Sequence, residues 1–293
     1  MRCLHVIGAL LVLSSPALAD DQYEPIMPVR PLTMADPAGL TALALEFQYT
    51  KWNEIGPADQ NLDFEVLTFD LAADITLAEH WQVVARMPFA YAKIDDELAG
   101  QNCCELALGN LTVGGRGLWS AVHSGGLRSV VGGELNVSLP TANDSGERAV
   151  SADTAAFAFF PKDPGRYAPN VATIRFNILA QFYSRWFLLH TELGPQLYIF
   201  NDDANGNDDK DLGIHLGIGA GIRATYTLAV LAELNALLFD FGDGNDDSLL
   251  SVDLGLRYAS GGALFGVRLY LPLDDGFRNL DMIGAGFDAG LRF

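Results

Sequence analysis

The chain has 293 residues, 49% hydrophobic and 19% charged, which suits a packed fold and excludes a disordered one. Its 18 Lys plus Arg stand against 37 Asp plus Glu, a formal charge of -19. Nucleic acid is therefore excluded as a partner, because phosphate contacts need cationic side chains. A polybasic membrane-surface anchor is disfavoured for the same reason.

Residues 1–19 read as a secretory signal peptide. Arg2 makes a short positive region, Leu4 to Leu13 is mostly apolar, and Leu18-Ala19 precedes Asp20-Asp21. The apolar run is shorter than the roughly 20 residues of a membrane-spanning helix. The mature chain is expected to start at Asp20, which removes Arg2 and brings the charge to -20. It keeps two cysteines, the adjacent Cys103 and Cys104, which cannot staple a small fold. Residues 20–39 carry Pro25, Pro28, Pro31 and Pro37 and read as an extended periplasmic arm.

From residue 40 onward apolar residues alternate with polar or small ones at a period near two, the period of a strand. Twelve segments follow: 40–53, 63–78, 81–94, 106–120, 127–140, 170–185, 187–200, 211–225, 228–240, 248–259, 263–272 and 281–293. Most exceed the usual globular strand and suit a tilted bilayer crossing. The connections alternate strictly. The long ones are 54–62, 95–105, 141–169, 201–210, 241–247 and 273–280, and those between them are short. That parity is expected of an all-β, transmembrane, up-and-down antiparallel barrel of 12 strands over 40–293, with both termini in the periplasm.

Each segment has one apolar face. In 263–272 Phe265, Val267, Leu269 and Leu271 oppose Gly266, Arg268 and Tyr270. In 281–293 Ile283, Phe287 and Leu291 oppose Gly284, Asp288 and Arg292. An apolar exterior facing lipid and a polar lumen account for this, whereas a soluble barrel would reverse it. The expected lumen-lining set is Glu46, Asp70, Arg86, Arg116, Glu134, Arg175, His190, Glu192, His215, Arg223, Glu233, Asp253, Arg257, Arg268 and Asp288. Asp74 and Arg292 share that face. Tyr49, Tyr91, Trp119, Phe182, Phe287 and Phe293 lie at strand ends on the apolar face, as interfacial girdles require.

The terminal Phe293 on an amphipathic last strand resembles the assembly signal of Gram-negative outer-membrane barrels. That resemblance implies recognition by the barrel-assembly machinery. Two internal stretches, Leu108-Gly109-Asn110-Leu111-Thr112-Val113-Gly114-Gly115-Arg116 and Leu135-Asn136-Val137-Ser138-Leu139-Pro140-Thr141, resemble motifs of one family. It is the outer-membrane transporter family named after the meta-cleavage pathway of phenol degradation. Asn110 stands where that family usually has Asp, and Asn143 follows Thr141-Ala142 where Gly is usual. The resemblance implies a channel for small hydrophobic or aromatic compounds.

The expected function is thus an outer-membrane channel for passive passage of small molecules, with outer-membrane lipid and a small solute as partners and no cofactor. Two alternatives stand beside it. A structural barrel would have a plugged lumen, and a lipid hydrolase would bring a serine and a histidine within hydrogen-bond reach at one rim. His190, Glu192 and His215 form a weak metal-ligand set without a recognisable signature. The acidic loops 201–211 and 241–248 lack the spacing of a calcium loop. The longest connection, 141–169, is the expected constriction. Its piece Ala155-Ala156-Phe157-Ala158-Phe159-Phe160 either folds into the mouth or adds a strand.

Overall fold

The computed structural model describes Leu32 and residues 40–55, 61–96, 105–123, 127–159, 162–200, 209–239 and 247–293. The expected signal peptide, Cys103 and Cys104, and most of the arm and of the acidic loops lie outside the described residues.

Twelve long strands form the wall: β1 (Ala42–Ile55), β2 (Asn61–Ala78), β3 (Trp81–Asp96), β5 (Thr112–Val122), β6 (Arg128–Ser138), β7 (Val171–Tyr183), β8 (Phe187–Phe200), β9 (Asp209–Arg223), β10 (Leu228–Phe239), β11 (Asp247–Ser260), β12 (Ala263–Pro272) and β13 (Ile283–Arg292). A two-residue strand, β4 (Ala107–Leu108), lies beside β3. Each wall strand pairs antiparallel with its chain neighbour, and β1 pairs with β13 from Ala42↔Arg292 to Lys51↔Ile283. The sheet is closed, so no edge is left unpaired. The all-β, closed antiparallel barrel of twelve strands read from the alternation is the observed fold.

The alternation also predicts which face meets the outside. Leu43, Leu67, Leu193, Ile218, Leu254, Val267 and Leu269 are exposed on the outer surface. Tyr49, Tyr91, Trp119, Phe182, Phe287 and Phe293 are exposed with them. Such a belt would be costly in water and is favoured against hydrocarbon. The short connections are tight. Gly261 and Gly262 have φ of 56° and 84°, so the two-residue turn from β11 to β12 needs glycine at both places.

Two segments depart from the sequence reading. The first is 106–120, which is not one strand. Arg86 pairs with Thr112 and Phe89 pairs with Leu108, so Gly109, Asn110 and Leu111 oppose only Met87 and Pro88. This extra residue is a bulge that separates β4 from β5 and buries Asn110. The second is the connection after β6, which holds a helix, α1 (Gly146–Phe159), and a 3-10 turn at Pro164–Arg166. The Ala-Phe alternation of 155–159 mimics a strand. Alanine is the strongest helix former, and Ala152, Ala155, Ala156 and Phe159 also satisfy i, i+3, i+4, i+7. Their small side chains let α1 press on Ala90 and Ala92 of β3. The connection from β12 to β13 contains a single helical turn, α2 (Asp275–Arg278).

Two buried apolar clusters sit at opposite ends of the barrel. At the long-connection end Ala155, Ala156, Ala158, Phe159 and Tyr167 pack with Trp52, Val66, Tyr270, Phe277 and Met282. At the short-turn end Leu32 packs with Leu118, Leu179, Tyr183, Leu188 and Leu231. The lumen is therefore filled at both ends among the described residues, and its polar middle lies between.

Candidate functional site

The strand period carries all fifteen expected lumen residues to the inner face. Eleven of them are buried, and Glu46, Arg86, Arg175 and Arg268 are partly so. Charges removed from water need close partners, and the wall supplies them from neighbouring strands. Arg116 of β5 is fully buried. It binds Glu134 on β6, lies 3.4 Å from Asp74 on β2 and donates to Gln82 at 3.3 Å. Arg257 pairs with Asp288. Arg86 lies 3.8 Å from Glu46. Glu192 accepts from Asn177 and stands 3.8 Å from His215 Nδ1. These are cross-linked pairs that brace the wall as well as line the lumen.

Reading strands alone could not find the second half of the site, because it comes from the connection after α1. Arg166 reaches Asp70 at 2.6 Å, and the Tyr167 hydroxyl donates to the same carboxylate at 2.9 Å. Lys162 pairs with Asp253 at 2.8 Å and lies 3.9 Å above the Tyr270 ring. Asp163 binds Arg175 at 2.9 Å and accepts from Gln196 at 3.1 Å. Burial pushes the Lys162 ammonium down to about 8, against the pull of Asp253. Burial alone would raise the Asp163 carboxyl, but Arg175 and Arg166 outweigh it and hold it below the usual range. The clue in sequence was Lys162-Asp163 and Arg166-Tyr167 directly after the apolar piece 155–160 of that connection.

Asn110, on the bulge, anchors that connection. Its side-chain amide donates to the carbonyls of Gly165, Ala168 and Val171 at 2.7, 2.8 and 3.0 Å, and its oxygen accepts from Ala142 N–H at 2.8 Å. Thr141 and Asn143 complete the clasp, through Leu111 N–H to Thr141 Oγ1 and Leu108 N–H to Asn143 Oδ1, both at 2.8 Å. The stretches 108–116 and 135–141, together with Asn143, thus meet around the base of the inserted segment. An aspartate at 110 would have no N–H to offer three carbonyls.

Between the two fillings lie two adjoining recesses, each with a cavity volume of about 40 Å³. They share Arg86, Asp163, Arg166, Arg175 and Glu192, and the lining is otherwise mostly polar, including Thr112, Ser138, Thr173 and Asn235. The chamber is narrow and lined by charged and hydrogen-bonding groups of both signs. It offers little apolar surface.

The short-turn end is occupied by the one described residue of the arm. The Leu32 N–H donates to Glu233. Its carbonyl accepts from Arg257 at 3.1 Å and Arg268 at 2.8 Å. A Cβ on Gly255 would stand 2.8 Å from Leu32 Cδ2, so the wall lacks a side chain where Leu32 sits.

Among the described residues no three His, Cys, Asp or Glu side chains are grouped as metal ligands, so His190, Glu192 and His215 do not make a centre. One Ser–His contact exists at a rim: His123 Nε2 lies 2.7 Å from Ser129 Oγ.

No family model matches the chain, and no curated protein matches it. Solved structures share its fold. An outer-membrane channel from Pseudomonas putida F1 superposes with a TM-score of 0.57 at 11% identity, over 89% of this chain and 98% of the other. The transport unit of the autotransporter AIDA-I from Escherichia coli gives 0.45 at 8% identity, over 90% and 94%. The monoaromatic hydrocarbon channel TodX gives 0.39 at 9% identity, over 91% and 93%. At 11% identity the likeness to the Pseudomonas channel is one of fold, a closed membrane-type β-barrel.

Proposed function

We infer that the protein is an outer-membrane channel for passive movement of small solutes, with its short turns in the periplasm. The observation that carries this reading is the polar chamber. On the α1 side it is closed by residues 162–167, which are held through ion pairs and are not part of the wall, and such a segment can move without breaking the barrel. The charged lining favours small polar or ionic solutes. The aromatic compounds implied by the sequence motifs fit this lining when they carry a charged group. Catalysis forms no part of the reading.

Single-channel conductance of refolded protein in planar bilayers tests it. Asp70→Asn weakens the hold on Arg166 and Tyr167, so the variant is expected to open several times more often than the parent. No conductance in either protein would favour the plugged structural barrel instead. A hydrolase reading rests on the Ser129–His123 contact alone. It predicts ester cleavage lost in Ser129→Ala, and equal background rates in both proteins would remove it.

The end of the chain bears on assembly. The Phe293 N–H donates to Thr41 O at 2.8 Å, while the side chain is exposed. The ring is therefore available to an assembly machinery without being needed by the wall. Deleting Phe293 is expected to lower the yield of heat-modifiable barrel in cells severalfold. Deleting Asp246 should not, and equal yields would count against an assembly role for Phe293.

A further inference from the structure

We propose that the short-turn half of the lumen is a recognition site for an extended peptide segment, and that the chain's own N-terminal arm occupies it at Leu32. The wall meets both backbone hydrogen-bonding groups of one residue. A carboxylate on β10 takes the N–H, and two guanidinium groups on β11 and β12 take the carbonyl of the same residue. The side chain enters an apolar nest within the otherwise polar lumen. Gly255 leaves the space it needs. A carboxylate-bearing solute would meet Glu233 unfavourably, and a purely apolar one would offer no hydrogen bond in place of those that Leu32 makes with Glu233, Arg257 and Arg268. An amide backbone with a branched aliphatic side chain satisfies all of them.

The occupant is the arm because it is tethered. Leu40 is held at the rim, where Gln82 Nε2 donates to its carbonyl at 2.9 Å. Seven residues lie between it and Leu32, so the eight steps reach at most about 28 Å. Tethering raises the effective concentration of the segment well above that of a free peptide. Recognition of the segment does not rest on the channel reading above.

The test uses a fluorescent peptide with the sequence of residues 29–36, mixed with detergent-folded barrels and followed by anisotropy. Three proteins are compared: the mature chain, a chain lacking 20–36, and the full mature chain carrying Leu32→Asp. The last retains every segment and covers the case in which the truncated chain fails to fold. Binding is expected in the truncated and Leu32→Asp proteins. It should be at least tenfold weaker in the mature chain, whose own arm competes. A peptide carrying Leu32→Asp should bind at least tenfold more weakly, and Glu233→Gln in the barrel should weaken the parent peptide likewise. Equal affinity of the two peptides, or equal binding to all three proteins, would overturn the proposal. Conductance of the same proteins reads the channel separately. Peptide binding without current would leave recognition standing and remove the channel. Current without peptide binding would do the reverse.

Discussion

Arg116→Leu is expected to destabilise the barrel by about 3–5 kcal/mol, the loss typical when one partner of a buried ion pair is removed. Arg116 is fully buried and serves Glu134, Asp74 and Gln82 at once. Leucine would leave two carboxylates facing one another on the inner wall without the cation between them. The loss should be read as the unfolding free energy in lipid vesicles by urea titration. Glu134→Gln added to Arg116→Leu should recover part of it, because the stranded charge is then gone. A single-variant loss below about 1 kcal/mol would mean that water reaches this cluster freely and that its burial is not felt.

Leu269→Arg should cost about 2–4 kcal/mol, the range for arginine at the lipid-facing midplane of a barrel. Leu269 is exposed on the outer face midway along β12, paired with Leu254 and Ala285. Its neighbour Arg268 points the other way and donates to the Leu32 carbonyl and, at 3.0 Å, to Gln48. Arg268→Gln removes a charge from a polar space and should loosen the arm more than the wall. Refolding yield and unfolding free energy in vesicles check both variants. A harmless Leu269→Arg together with a stabilising Arg268→Leu would mean that the outer apolar set faces no hydrocarbon.

The two variants differ by one position because strand side chains alternate strictly, and that alternation is what made the barrel legible. Period two fixes which residues share a face without any knowledge of partners. Strict long and short connections then fix the up-and-down order. Twelve strands and the inner placement of residues from Glu46 to Asp288 follow from local pattern alone. Register adds little uncertainty there, since each wall strand pairs with its chain neighbour.

The candidate site was legible only in part. Asp70, Arg175 and Asp253 could be placed on the inner face, but not joined to Arg166, Asp163 and Lys162. The Lys162–Asp253 pair spans 91 residues, and all three contacts depend on how the connection enters the barrel. The Asp70–Arg166 pair spans 96 residues. The helix in that connection was obscured by the alternation Ala156-Phe157-Ala158-Phe159, which satisfies a strand while Ala152, Ala155, Ala156 and Phe159 satisfy a helix. Packing against Ala90 and Ala92 decides between them.

By itself, then, the sequence determined the fold class, the strand count, the polarity of the wall and the residues that face inward. These depend on periodicity and on side-chain transfer energies, which act residue by residue. Tertiary structure alone decided that the lumen is filled at both ends, that Asn110 clasps the inserted connection, and that Leu32 lies among Glu233, Arg257 and Arg268. Leu32 is 201 residues from Glu233, so no local pattern could bring them together. Buried charges take the partners that geometry offers them, and only the closed barrel sets which side chains come within reach.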